Sequence, residues 1–244
     1  MNLQCYCFHK SGSMFLFRLF NYIAKNNNLD FYTTPGLADG KKSKSNKLWN
    51  NKLTNCISCP IRDPPINFDE NVKYIIHFRN PLDIMISSYY SFGFTHPLNS
   101  SIEEKRKIIK TQTIDEYCLS QENIDEINSK YDKLLNWIEK YKNKENVFIS
   151  DYDHMYYNFS NWLINIFNFL SLKDSAKTIS AFENEFKNCN NEHVKSHIND
   201  IKKHNNHHRS GLSKQYLVEL KKETQELVIS KFSAEIRKHF DFLY

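Results

Sequence analysis

No stretch of ~18 or more apolar residues occurs in the 244-residue chain, which excludes a membrane-spanning helix. An apolar strand begins within a few residues of Met1, leaving no room for a cleavable leader or anchor, so the expected location is cytoplasmic. The six cysteines form no disulfide framework: Cys5 and Cys7 share a strand, and Cys118 and Cys189 lie far apart. Cys56-Ile57-Ser58-Cys59 has the C-x-x-C form but no second pair, so it reads as buried strand cysteines rather than a zinc or redox site. No block of like charge forms a nucleic-acid tail; the Lys/Asn-rich stretch 41–52 reads as a solvated loop, and a net charge of +5 suits an anionic ligand without requiring one. Internal repeats and domain linkers are absent, so residues 1–244 are expected to form a single domain. The Walker pattern G-x-x-x-x-G-K-[ST] is also missing. His193, His197, His204, His207 and His208 have no acidic third ligand spaced with them, and no metal is expected.

What is present is a globular pattern, 40% hydrophobic and 14% aromatic. Leu3 to Phe8 and Val72 to Phe78 read as buried strands, each followed by a helical pattern. Glu122 to Tyr141 is amphipathic, with Ile124, Ile127, Tyr131, Leu134, Leu135 and Ile138 near helical spacing. Asn158 to Leu170 and Lys173 to Phe186 are further helices, and Lys214 to Phe240 reads as one long final helix. Strands separated by helices imply an α/β fold, three layers with a central, mainly parallel sheet, whose ligands bind beyond the carboxyl ends of the strands.

Two anion sites fall at such ends. The strand ending at Phe78 runs into Arg79-Asn80-Pro81, where Asn80 can cap a helix, Pro81 suits its first position and Asp83 complements its dipole. Arg79, the exposed N–H groups of that helix and, two turns on, Ser87 could converge on one phosphate; the plain alternative is a strand-to-helix turn whose arginine pairs with Asp83. At the first strand-helix junction stands His9-Lys10-Ser11-Gly12-Ser13-Met14-Phe15, where Gly12 permits close backbone approach, Ser11 and Ser13 add hydroxyls and Lys10 adds a positive charge.

Together these segments resemble the sulfotransferases that use 3′-phosphoadenosine 5′-phosphosulfate (PAPS), in which a P-K-S-G-T-T-W loop holds the 5′-phosphosulfate and an R-[ND]-P-x-D-x-x-x-S-x-Y segment holds the 3′-phosphate. Lys10 to Phe15 is similar to the first and Arg79 through Ser87 and Tyr90 to the second. Val147-Phe148-Ile149-Ser150-Asp151-Tyr152-Asp153-His154-Met155 is similar to the family's strand followed by Y-E-D-M, and His208-Arg209-Ser210-Gly211-Leu212-Ser213 to its late R-K-G loop. The resemblance implies a P-loop-like sulfotransferase fold, PAPS as co-substrate with PAP as product, no metal, and an acceptor that is a small molecule or a saccharide. It implies a 5′ site at Lys10, Ser11, Gly12 and Ser13, a further cofactor contact at Met14, adenine contacts at Phe15 and Tyr152, and a 3′-phosphate clamp at Arg79, Ser87, Arg209, Ser210 and Gly211.

The chain departs from the pattern where a base is expected. Asn55 to Arg62 contains neither the histidine of the family's K-T-H-L-P segment nor the glutamate of its Golgi-type relatives. Phe15 replaces a tryptophan and Ser210 a lysine. Lys10 is the expected partner of the leaving oxygen. For the base, His96 comes first, because Phe92-Gly93-Phe94-Thr95 reads as a short turn after the phosphate-site helix, and Asp63 second. His77 lies one pleat deeper than Arg79 and reads as a core histidine. A P-loop-type small-metabolite kinase and an inactive nucleotide-binding relative are the alternatives. The segments that would line an acceptor pocket, 41–69 and 92–115, match no acceptor class.

Overall fold

In the computed structural model, residues 1–33, 55–63, 65, 67–96, 99–173, 176–195, 211–240 and 242 are described. They form two compact units, 1–79 with 136–182, and 80–135 with 183–244. The Lys/Asn-rich stretch 41–52, most of the histidine-rich segment, Arg209 and Ser210 lie outside the described residues.

The first unit holds the whole sheet. Strands β1 (Asn2–Cys7), β2 (Asp30–Tyr32), β3 (Cys56–Ile61), β4 (Lys73–Phe78) and β5 (Val147–Asp151) stand in the order β2-β3-β1-β4-β5, and every pairing is parallel. All six residues of β3 and the last five of β4 are buried, as expected for strands covered on both faces. Between β1 and β3 the register slips, Gln4 facing Ser58 but Tyr6 facing Ile61. Pro60, which has no N–H to give an interior ladder, falls in this irregularity. Helix α1 (Ser13–Asn26) buries Phe15, Leu16, Leu19, Phe20 and Ile23 and packs on β3 and β2. Two more helices follow β5: α6 (Tyr152–Tyr157), and α7 (Phe159–Leu170) with its buried stripe of Phe159, Trp162, Leu163, Ile166 and Phe167. Because β1 leads through α1 towards β2 and β4 leads towards β5, the ends of neighbouring β1 and β4 form the switch point of the sheet.

The second unit is helical. It contains α2 (Pro81–Tyr90), a π-helical turn (Ser91–Thr95), α3 (Ser100–Ile109) and α4 (Ile114–Leu119). The long α5 (Gln121–Tyr141) and α8 (Ala176–Lys195) each run across the division between the units. The expected single final helix is three: α9 (Tyr216–Glu219), α10 (Lys222–Lys231) and α11 (Ala234–His239). It breaks where Lys221 takes an extended conformation (ψ 147°), and where Ser233 turns out of the helix and its hydroxyl accepts from the Ile236 N–H.

The stretch from Phe92 to Thr95 is not the expected sharp turn. It continues the rod of α2 as a π-helical turn, whose extra residue per turn carries the chain on towards His96. Gly93 serves close approach there: a Cβ built on it would stand 2.8 Å from Ile109 Cγ2. Gly93→Ala should therefore cost about 1–3 kcal/mol in urea unfolding, the usual cost of overpacking. The same step in an Ile109→Ala background should cost much less, since the opposing methyl is gone; equal costs in both backgrounds would show that the close contact does not limit the site.

Candidate functional site

The loop after β1 is shaped by backbone conformation and by its neighbours. Lys10 and Gly12 both have positive φ, 70° and 80°. The Ser11 N–H and hydroxyl both donate to the Phe8 carbonyl, at 3.3 and 2.7 Å. Gly12 caps α1, its carbonyl accepting from Phe15 and Leu16 N–H. A Cβ on Gly12 would lie 3.1 Å from Met155 Cε and 3.2 Å from Tyr152 Cε2, so both the φ and the close approach of α6 require glycine. The N–H groups that begin α1 thus open beside a lysine, an arrangement suited to an anion.

Two arginines brace this loop. Arg79, 3% exposed, leaves the end of β4 and donates from Nη1 to the Lys10 carbonyl at 2.9 Å, and its guanidinium lies 4.1 Å from the centre of the Tyr152 ring. Arg62, directly after β3, donates from Nη1 to the Phe8 carbonyl (2.9 Å) and the Cys7 carbonyl (3.3 Å), and from Nη2 to Ser13 Oγ (3.0 Å). Burial first, then the charges of Arg79 and Arg62, lower Lys10 from 10.5 to about 8. Three cations thus stand round one loop.

Arg62 was missed in the sequence, where the stretch was read only for a histidine or a glutamate. Its signal was the one that marked Arg79, a cation directly after an apolar strand. Among the other expected residues of the first unit, Met14 is half-buried and Tyr152 is buried at the start of α6. Phe15 is 7% exposed and packed edge-on against Phe159 and Phe182, which leaves little of its ring for a ligand. Asp63 is exposed, next to Arg62. His77 is a buried histidine, as read, 1% exposed with Nδ1 2.8 Å from Ser150 Oγ.

The second unit contributes the helix that follows Arg79. Asn80 Oδ1 accepts from the Leu82 N–H at 3.0 Å and Pro81 occupies the first turn, as the sequence implied. Ser87 is half-buried on α2. Asp83, fully buried, does more than oppose a dipole: its carboxylate accepts from the backbone N–H of Lys214 (2.8 Å) and Tyr216 (3.2 Å), and its carbonyl from Gln215 Nε2 (3.3 Å). The segment that follows Gly211 is therefore anchored on α2. His96 ends the π-helical turn, its ring beside Phe92 (5.4 Å) and its carbonyl accepting from Arg106 Nη2.

A parallel sheet with a cationic glycine loop after its central strand and an arginine after the neighbouring strand is an α/β arrangement suited to an anionic ligand. The model of the sulfotransferase domain matches residues 6–241, and the chain belongs to that family. Mouse sulfotransferase SULT7A1 complexed with PAP shares the fold, at a TM-score of 0.66 and 18% identity over 97% of this chain and 84% of that one. Retinol dehydratase does too, crystallised with androsterone and inactive cofactor PAP (TM-score 0.58, 13% identity, 100% of this chain and 82% of that one). None of the curated proteins matches the sequence. Among the described residues no helix is long and apolar enough to cross a membrane.

The lowered Lys10 yields a ligand-free test. In competitive labelling with acetic anhydride read by mass spectrometry, Lys10 should titrate near pH 8, well below an ordinary lysine at 10.5. Arg62→Gln, which removes one of the two neighbouring charges, should move it upward. The sign for stability follows: the unfolded chain holds this proton more tightly, so charged Lys10 opposes folding below pH 8, and the penalty fades as pH rises towards 10.5. Labelling of Lys10 with an ordinary lysine profile would refute the clustering of charge.

Proposed function

We propose that this chain transfers the sulfuryl group of PAPS to a hydroxyl or amine of an acceptor, a small molecule or a saccharide. The observation that carries the reading is the cluster of Lys10, Arg62 and Arg79 round the loop that opens α1, where burial first, and then the two arginine charges, lower Lys10 to about 8. Such repulsion is relieved by a polyanion, and membership of the sulfotransferase family supports reading that polyanion as PAPS.

PAPS, when bound, supplies a sulfuryl group that passes to the acceptor while negative charge grows on the 5′-phosphate oxygen it leaves. Lys10 meets that charge with its ammonium, and the α1 N-terminus with its N–H groups, both held in advance by the bonds from Arg79 and Arg62. Ser11 and Ser13 line the same loop. Arg79, with Ser87, Arg209, Ser210 and Gly211, takes the 3′-phosphate, and Tyr152 stands for the adenine end, with Met14 as a further cofactor contact and Phe15 backing the site through its packing on Phe159 and Phe182. His96 and, second, Asp63 are the candidates to take the acceptor's proton. A metal is not needed where cations and N–H dipoles neutralise the leaving group.

Two measurements test this. The product nucleotide 3′,5′-ADP should bind far better than AMP, and Arg79→Ala should lose about 1.5–3 kcal/mol of that preference, the usual worth of a hydrogen bond to a charged group; equal affinities by calorimetry would sink the assignment. The base is identified from kcat against pH with one saturating acceptor. The base variant, His96→Asn or Asp63→Asn, should lose ~10²–10⁴-fold in rate, and near-normal rates in both would exclude the two residues.

A further inference from the structure

We propose that Asp83 and Tyr90 are positioning residues for the 3′-phosphate: together they dock residues 214–219 along the face of α2 that carries Ser87, and so hold the chain that leaves Gly211 in place for that phosphate. The inference rests on the reading of Ser87 and Gly211 as parts of the 3′-phosphate clamp.

Ser87 and Tyr90 follow Asp83 by four and seven positions on α2, so the three side chains form one stripe of the helix. Both ends of the stripe are bonded to the same short segment. At one end the buried Asp83 carboxylate spends one oxygen on the Lys214 N–H (2.8 Å) and the other on the Tyr216 N–H (3.2 Å), while the Asp83 carbonyl accepts from Gln215 Nε2 (3.3 Å). At the other end the Tyr90 hydroxyl donates to Glu219 Oε2 at 2.8 Å. Tyr216 and Glu219 lie three apart on α9 and share the side turned to α2: Tyr216 is 0% exposed, whereas Val218 between them is 89% exposed. Ser87, half-buried, stands between the two fixing points.

These bonds do more than pack one helix on another. A helix of four residues cannot hold itself, so its place is set by what it is fastened to. The fastening falls on strained backbone: Lys214 has φ 56°, a left-handed conformation that a lysine avoids, and its N–H is the one taken by Asp83 Oδ2. Such strain persists only where the surrounding bonds over-determine it. It stands three residues after Gly211, which an extended chain keeps within about 10 Å of Lys214. Along α2, Asp83 is about 6 Å from Ser87. The dock therefore confines Gly211 to the neighbourhood of the Ser87 stripe before any phosphate binds, which reduces the ordering left to be done on binding. An ionised carboxylate suits this task because it only accepts, and can take both N–H groups where an amide side chain would take one.

The test reads the 3′-phosphate alone, as the ratio of 3′,5′-ADP to AMP affinity measured by calorimetry on the full chain. Asp83→Asn, with one acceptor oxygen in place of two, should lower that ratio at least about tenfold; Tyr90→Phe, which keeps the ring and removes one bond outside the core, should lower it at least about threefold and serves if the buried variant does not fold. Glu219→Ala should match Tyr90→Phe, and the double variant should be no worse than either. Glu219→Gln, which keeps an acceptor oxygen, should restore the ratio. Amide exchange supplies a second readout: 3′,5′-ADP, but not AMP, should slow exchange across 211–219, and Tyr90→Phe should reduce that protection. A purely structural role would weaken both nucleotides alike, so an unchanged ratio and unchanged protection in folded Tyr90→Phe would overturn the proposal. Absence of any preference for 3′,5′-ADP in the wild type would instead overturn the 3′-phosphate reading itself, and this role with it.

Discussion

The bond from Arg79 to the Lys10 carbonyl is the constraint on which the rest of the first unit's site depends. It joins the loops that leave the two neighbouring strands β1 and β4, residues 69 positions apart in sequence. Parallel pairing of Cys7 with His77 brings these strand ends level, and the guanidinium then reaches the Lys10 carbonyl within the turn closed by the Ser11 N–H on the Phe8 carbonyl. Tyr152 supports the guanidinium from below and also limits Gly12, so the same ring sets the position of the arginine and the identity of the glycine. A lysine at position 79 could make the one bond but could not lie flat on the ring.

Collecting cations in this way is unfavourable for the free protein. Arg79 and Arg62 each lower the proton affinity of Lys10, and burial lowers it more. The arginines keep their charge, so the lysine is the group that yields. A bound polyanion reverses the sign of every one of these interactions, and the energy withheld from stability becomes differential affinity for the ligand. The carbonyl bonds of both arginines matter for the same reason: they hold the charges still in the absence of an anion, so little ordering remains to be done when one arrives.

How much of this was legible in the sequence depended on range. Local signals read well: strand, Gly12 loop and α1; Asn80 and Pro81 at the start of α2; the apolar spacing of α5. Failures came where tertiary packing overrode a local pattern. Gly93 looked like a turn because its contact with Ile109 is invisible without the fold. The last helix looked continuous because its apolar spacing runs on through Phe232, although Ser233 with Ala234 and Glu235 carried a readable start signal. Asp83 was assigned to a dipole because its partners lie more than 130 positions later. Arg62 was passed over because that stretch was searched for a base. Arg209 and Ser210 belong to the late loop, outside the described residues, and their assignment rests on resemblance alone.

The end of β3 is where this chain differs most in its chemistry from the pattern it resembles. A histidine or glutamate there would put proton acceptance on the strand beside the anion loop. Arg62 instead adds charge, grips the Phe8 and Cys7 carbonyls and occupies Ser13 Oγ. A guanidinium does not take up a proton at any ordinary pH, so under the proposed reaction the end of β3 would serve the leaving group and not the acceptor. The proposed reaction would thereby concentrate leaving-group stabilisation at the ends of β1, β3 and β4, and would take its base from a residue that does not hold this loop. The proposed candidates His96 and Asp63 meet that condition; His77, buried with Nδ1 against Ser150 Oγ, does not.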